Sequence, residues 1–171
     1  ELSTGYHAFV AELFLTAAAL GSAIGDPFPE SYWRRLGSML DFAAAIRDRH
    51  GHAPDFGDND EGTVLALGRT DHRDRLGRLL AVTGRSDARD EVATRLLLWG
   101  LEPSDLPLPP ARELERDGLD AFPDGGYIVL GRRRGGPDEM LAVFDAGDLG
   151  MPPTWAHGHA DALSFWLSYG G

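Results

Sequence analysis

The sequence predicts an α+β protein: helices over the first hundred residues, a proline-rich break, then short antiparallel strands. Two observations carry this. Apolar residues recur at three- and four-residue spacing as far as Trp99, and after Leu119 they gather in short β-prone runs. Between the two patterns, Leu101 to Leu119 holds Pro103, Pro107, Pro109 and Pro110. Helices followed by strands argue against a wound parallel sheet. The expected division is a helical part over 1–100, a linker over 101–120 and a β part over 121–171.

Each element follows from its residues. Phe9, Val10, Leu13, Phe14, Ala17 and Leu20 recur at helical spacing and predict a helix from about Thr4 to Leu20. Gly21, Gly25, Pro27 and Pro29 interrupt the chain. Ser31 is the expected cap of a second helix, with Tyr32, Leu36, Met39, Leu40, Ala43 and Ile46 on its inner face. A loop rich in Gly and Asp runs from His50 to Gly62. Thr63 to Leu67 is too short to classify. A third helix is expected from about Asp71 to Val82. A fourth would be capped by Ser86, carry Val92, Leu96, Leu97 and Trp99, and stop at Gly100. Tyr127–Leu130 and Met140–Phe144 read as strands joined by a hairpin loop over Gly131 to Asp138, and Leu163–Tyr169 reads as a third strand.

Composition excludes several classes. The 171 residues are 43% hydrophobic and 25% charged, ordinary for a globular chain. The net charge of -11 argues against general nucleic-acid binding, which needs clustered cations. All 16 basic residues are Arg, a compositional bias. With no Cys, disulfides and thiol chemistry are excluded. Leu13 to Ala23 lacks the basic lead-in of a signal segment and reads as a buried helix. No run is expected to cross a membrane. A start at Glu1 suggests a piece of a longer protein.

The strongest chemical signal is His157-Gly158-His159-Ala160-Asp161. On extended backbone, residues two apart face the same side. His157 and His159 could then address one ligand, metal or proton, with Asp161 fixing a tautomer. A second pair, His50-Gly51-His52, precedes Asp55, Asp58, Asp60 and Glu61. These carboxylates miss the calcium-loop register, because the twelfth position from Asp58 is Arg69. A solvated acidic turn is the favoured reading there. Tyr6-His7 at a helix start and Arg132 to Arg134 at a hairpin tip read first as structural. Gly125-Gly126 is no dinucleotide fingerprint, and neither a P-loop nor a G-x-S-x-G is present.

Four segments together resemble the heparinase II/III-like polysaccharide lyases. Glu1 to Glu12 resembles an E-x-S-x-x-Y-H-x-F-V-x-E helix, and Pro54 to Gly62 an acidic turn. Phe122 to Tyr127 resembles the start of the β domain, and Trp155 to Phe165 an H-x-H-A-D-x-L-S-F strand. They occur in the family's order and span almost the whole chain. The resemblance implies the last helices of an incomplete α/α toroid, then the first strands of a β-sandwich. It implies β-elimination on uronate-containing polysaccharide, with an anionic polysaccharide or oligosaccharide as partner. By motif, Tyr6 would be the acid and perform the base step as well, or leave it to His157. His157 would act as base or charge stabiliser, and His159 would be a zinc ligand. The family's carboxylate-neutralising Asn or His would precede Glu1, and the other zinc ligands would follow Gly171. The isolated chain is therefore expected to be inactive and its parent, exported to the periplasm or secreted, to be the enzyme. Two rivals stand beside this. One is a non-catalytic saccharide-binding or exopolysaccharide-assembly protein of the same fold. The other is a metal-dependent hydrolase built on both H-x-H pairs.

Overall fold

The computed structural model describes residues 2–59, 62, 64, 75–85, 99–150, 153–156 and 158–171. Three helices, α1 (Thr4–Ala23), α2 (Glu30–Ala45) and α3 (Arg75–Val82), precede a short 3-10 turn at Pro103–Asp105. Four strands follow: β1 (Gly118–Phe122), β2 (Tyr127–Arg132), β3 (Met140–Asp145) and β4 (Phe165–Tyr169). They form one antiparallel sheet in the order β1-β2-β3-β4. The α+β class expected from the sequence is the class observed. The fourth expected helix, most of Thr63–Leu67 and the start of the third helix lie outside the described residues.

The residues form two compact units. One is built from Glu1–His7, Ala45–Glu61 and Glu113–Gly171; the other from Ala8–Ala44 and Gly62–Arg112. In the helical unit, Ala11, Leu15, Ala18 and Ala19 of α1 pack with Trp33, Leu36, Leu40 and Ala43 of α2 and Leu79, Leu80 and Val82 of α3. The buried face of α1 corrects the expectation. Its alanines and Leu15 are inside, while Leu13, Phe14 and Leu20 are exposed. A helix apolar on nearly every side has no periodic face to read, and small side chains let neighbouring backbones approach. Against expectation, α1 is also long and apolar enough, by length and composition alone, to cross a membrane. Here its alanine face is core and its Glu12 carboxylate accepts from the Val64 backbone N–H at 3.3 Å. Ser31 does not cap α2. The Pro29 carbonyl accepts from Tyr32 and Trp33, so the helix starts at Glu30, two residues earlier than its serine suggested.

The sheet shows strict two-residue alternation. Asp120, Val129, Val143 and Trp166 form one cross-strand row, and Phe122, Tyr127 and Asp145 another, both on the inner face. Ala45 to Asn59 lines that face: Phe56 stacks on Tyr127 with centroids 6.1 Å apart, and Arg134 donates to the Ala45 carbonyl at 2.6 Å. Arg134 is no solvated hairpin tip. It is nearly buried and lies 3.6 Å from the buried Asp120 carboxylate. Strand β1 begins at Gly118, inside the stretch expected to be linker, because its exposed Leu119 and buried Asp120 invert the usual apolar pattern. The outer face carries Leu119, Leu130, Phe165, Leu167 and Tyr169, all at least half exposed.

At one end of the sheet, the buried Asp48 carboxylate joins the chain to β4. It accepts from the His50 and His52 N–H groups at 2.9 and 2.8 Å, the Ser168 hydroxyl at 2.8 Å and the His52 ring at 3.1 Å. Burial opposes its ionisation, but these bonds outweigh burial and hold its pKa below the ordinary carboxylate value. Asp48→Ala leaves a part-buried hydroxyl and two N–H groups without their acceptor. It is expected to cost about 2–4 kcal/mol, read as the shift in a urea unfolding midpoint.

Candidate functional site

The site is assembled around the turn Pro54–Asn59, which is bonded on two sides. On the first side, Ser3 and Thr4 open α1. The Ser3 hydroxyl accepts from the Tyr6 N–H at 3.2 Å, the geometry of an N-cap, and donates to the Asp58 carbonyl. Thr4 binds the turn reciprocally. Its N–H donates to the Phe56 carbonyl at 3.0 Å, and its hydroxyl donates to Pro54 at 2.9 Å while accepting from the Phe56 N–H at 3.0 Å. Tyr6 therefore stands one helical turn from the acidic turn, in the same compact unit.

On the second side, the turn meets the segment before β4. The Gly57 N–H donates to an Asp161 carboxylate oxygen at 2.6 Å. The His159 Nε2 is paired with the Asp58 carboxylate. Gly57 is buried with φ at 68°, a left-handed conformation that favours glycine and aims its N–H at Asp161. Asp58 and Asp161 are thus fixed through consecutive residues of one turn.

Two more groups define the electrostatics. Tyr127 is buried and its hydroxyl donates to the Leu2 carbonyl at 2.6 Å. Burial raises its pKa well above the ordinary tyrosine value, and the Asp145 and Asp161 charges push the same way. Burial also raises Asp145, against a hydrogen bond from the Gly147 N–H and with help from the charge of Asp161. The network of Asp58, Asp145, Asp161, Tyr127 and His159 is therefore acidic, with His159 as its basic member.

Of the residues singled out in the sequence, Tyr6 and His159 are brought into one unit through the turn; His157 lies outside the described residues. The shared face expected of His157 and His159 therefore also lies outside the described residues. Regular strand begins only at Phe165, and Ala160 to Leu163 form a turn closed by the Ser164 N–H on the Asp161 carbonyl. Asp161 does not orient His159; Asp58 does. Asp58, read as part of a solvated turn, is the main residue that local reasoning missed. Its partner stands 101 positions away, and the only signal was the order of motifs along the chain.

His50 and His52 do not join His159. Asp48 holds them beside Ser168, which pairs with Leu141, whereas the Asp161 turn adjoins Asp145. Four strand residues, roughly 13 Å, separate Leu141 from Asp145. The hydrolase arrangement that needed both pairs together is not the one formed. Nor do the described residues gather three His, Asp or Glu side chains that could hold a metal ion. One imidazole and one carboxylate fall short of the four donors of a zinc site.

One end of the four-stranded antiparallel sheet thus carries Asp58, Asp145 and Asp161 with His159, and the helix start bearing Tyr6 is anchored to the same turn. Residues 115–171, a third of the chain, match the family model for the heparinase II/III-like, C-terminal domain. No curated protein and no solved structure matches the chain.

Asp161→Ala removes the charged acceptor of a buried N–H. It is expected to destabilise by about 1–3 kcal/mol and to shift the backbone amide resonances of Gly57 and Asp58 together. Unshifted amides would show that the turn holds itself.

Proposed function

We propose that this chain forms part of the cleft of a lyase that breaks uronate-containing polysaccharide by β-elimination. The observation that carries the reading is the shared anchorage of Tyr6 and His159 on the Pro54–Asn59 turn, beside a sheet of the lyase family. In this reaction a base removes the proton at C5 of the uronate, the 4-linked oxygen leaves with a proton from an acid, and a double bond forms between C4 and C5. Tyr6 serves as the acid, and as the base where its proton has already been given up. His157 serves as base or stabilises the charge that develops on the uronate carboxylate.

Two tyrosines border the site, and their surroundings favour different uses. The Tyr127 hydroxyl is committed to the Leu2 carbonyl and its raised pKa makes it a poor base. Tyr6 is half-buried on the first turn of α1, the better placement for proton transfer. A tyrosine base needs a cationic neighbour to lower a pKa of about 10. The three aspartates would repel a uronate, so the proposal requires positive charge at the carboxylate. The resemblance assigns His159 to zinc as well; the proposal takes no step through that ion. The toroid and sandwich belong to the same reading. The apolar outer face of the sheet is what a second sheet of a sandwich would cover.

The acidic network also favours one other reading, saccharide binding without elimination on the same fold. One assay separates the two. With the full-length protein on heparan- or alginate-type polymers, unsaturated-uronate absorbance is expected to grow. Tyr6→Phe and His157→Ala are each expected to slow it by about 100-fold or more. Wild-type rates in both variants contradict the assignment, and binding with no absorbance supports the non-catalytic reading.

A further inference from the structure

The His50-Gly51-His52 pair is not used by the proposed reaction, yet its geometry is more constrained than a solvated loop requires. The turn is closed by the Asp48 N–H on the His52 carbonyl at 2.9 Å and the Gly51 N–H on the Asp48 carbonyl at 3.0 Å. Gly51 has φ at 90°, and a Cβ there would fall 2.4 Å from an Arg47 guanidinium nitrogen. Arg47 is itself turned onto the Gly51 carbonyl at 3.2 Å. The positive φ favours glycine between the two histidines, and the turn sets both residues at the same end of the sheet.

Each ring is also held. The His52 Nδ1 faces the Asp48 carboxylate, whose side chain is 1% exposed while the His52 side chain is 68% exposed. An ionised carboxylate only accepts, so Nδ1 carries the proton and Nε2 presents a lone pair to solvent. A carboxylate behind an imidazole is the usual support of a metal-binding histidine. His50 lies against Gly171, where even a Cβ would come within 2.2 Å of its ring. The two ring centroids are 6.4 Å apart. An ion held at the usual zinc–nitrogen length stands about 3.2 Å from each centroid. The centroids are then about 5 Å apart at a tetrahedral angle and about 6.4 Å apart when the ligands are opposed. The observed pair lies at the upper limit of that range with its rings tilted 49° to one another, so bringing a nitrogen of each to one ion requires the rings to turn.

We propose that His50 and His52 form an open two-histidine site for a borderline transition-metal cation, such as nickel, copper or zinc, with Asp48 as the positioning residue behind His52. Imidazole donors select these ions over calcium or magnesium. The remaining coordination positions are left to water or to a ligand of the cation. This site is separate from the candidate active site and stands whether or not the chain takes part in elimination.

The test uses the full chain, free of any affinity-tag histidines, with His157→Ala and His159→Ala as background so that the candidate active-site imidazoles contribute nothing. Titration calorimetry with nickel alone is expected to show one ion per chain in that background. Adding His52→Ala or His50→Ala is expected to abolish it. Both are surface changes whose folding can be followed by circular dichroism. Asp48→Asn is expected to weaken binding by about 10- to 100-fold. Should that variant fail to fold, paramagnetic broadening of the His50 and His52 ring resonances by nickel in the background protein decides the matter. No uptake of nickel, or uptake unchanged by His52→Ala, overturns the proposal.

Discussion

Thr4 and the turn at Pro54–Phe56 hold one another through three hydrogen bonds, and the candidate site depends on that lock. The bonds are reciprocal: the hydroxyl accepts from one end of the turn and donates to the other. A threonine at a helix start and a carbonyl-rich turn each lack partners locally, and each satisfies the other. The result is a rigid bracket with Tyr6 on one arm. Its other arm, through Gly57 and Asp58, grips the segment that leads into β4. Substituting a distant residue of this bracket would move the chemistry without touching it.

The unit around the bracket is held by buried polar groups as much as by apolar ones. Asp48, Asp120, Glu139 and Asp145 are all buried, and each has a defined partner: Ser168 and His52, Arg134, the Arg49 N–H, and the Gly147 N–H. Such groups specify one arrangement, because every alternative leaves a carboxylate or a donor unsatisfied. They sit where the strands end and loops must be fixed in place. The acidic composition of the chain is therefore partly an interior property. The buried Asp145 and the half-buried Asp161 add negative potential at the candidate site, which is why the proposed chemistry needs a positive group near the uronate.

Much of the fold was legible in the sequence. The hairpin between β2 and β3 and the late strand β4 follow from β-prone runs around a glycine-rich loop, and α2 presents Leu36, Leu40 and Ala43 inward as its period predicts. Where the reading failed, the cause was physical. The face of α1 could not be chosen from hydrophobicity, because alanine packing decided it. Strand β1 was hidden by a buried Asp120 that only a distant Arg134 makes tolerable. The pairings around the candidate site were not legible in the sequence. Tyr6 and His159 were identified by their order in a familiar pattern. The Asp58 partner of His159 and the Asp161 clamp on Gly57 are contacts across a hundred residues, to which no local periodicity responds.

The most direct measurement of the central claim is a crystal structure of the full-length protein with an unreactive uronate-containing oligosaccharide bound. The account predicts the Tyr6 hydroxyl and a His157 ring nitrogen within about 3 Å of the groups around C4 and C5 of one uronate, with the Asp58–His159 and Asp161–Gly57 contacts intact. A saccharide seated away from Tyr6, or a bound complex in which Asp58 and His159 part, would contradict it.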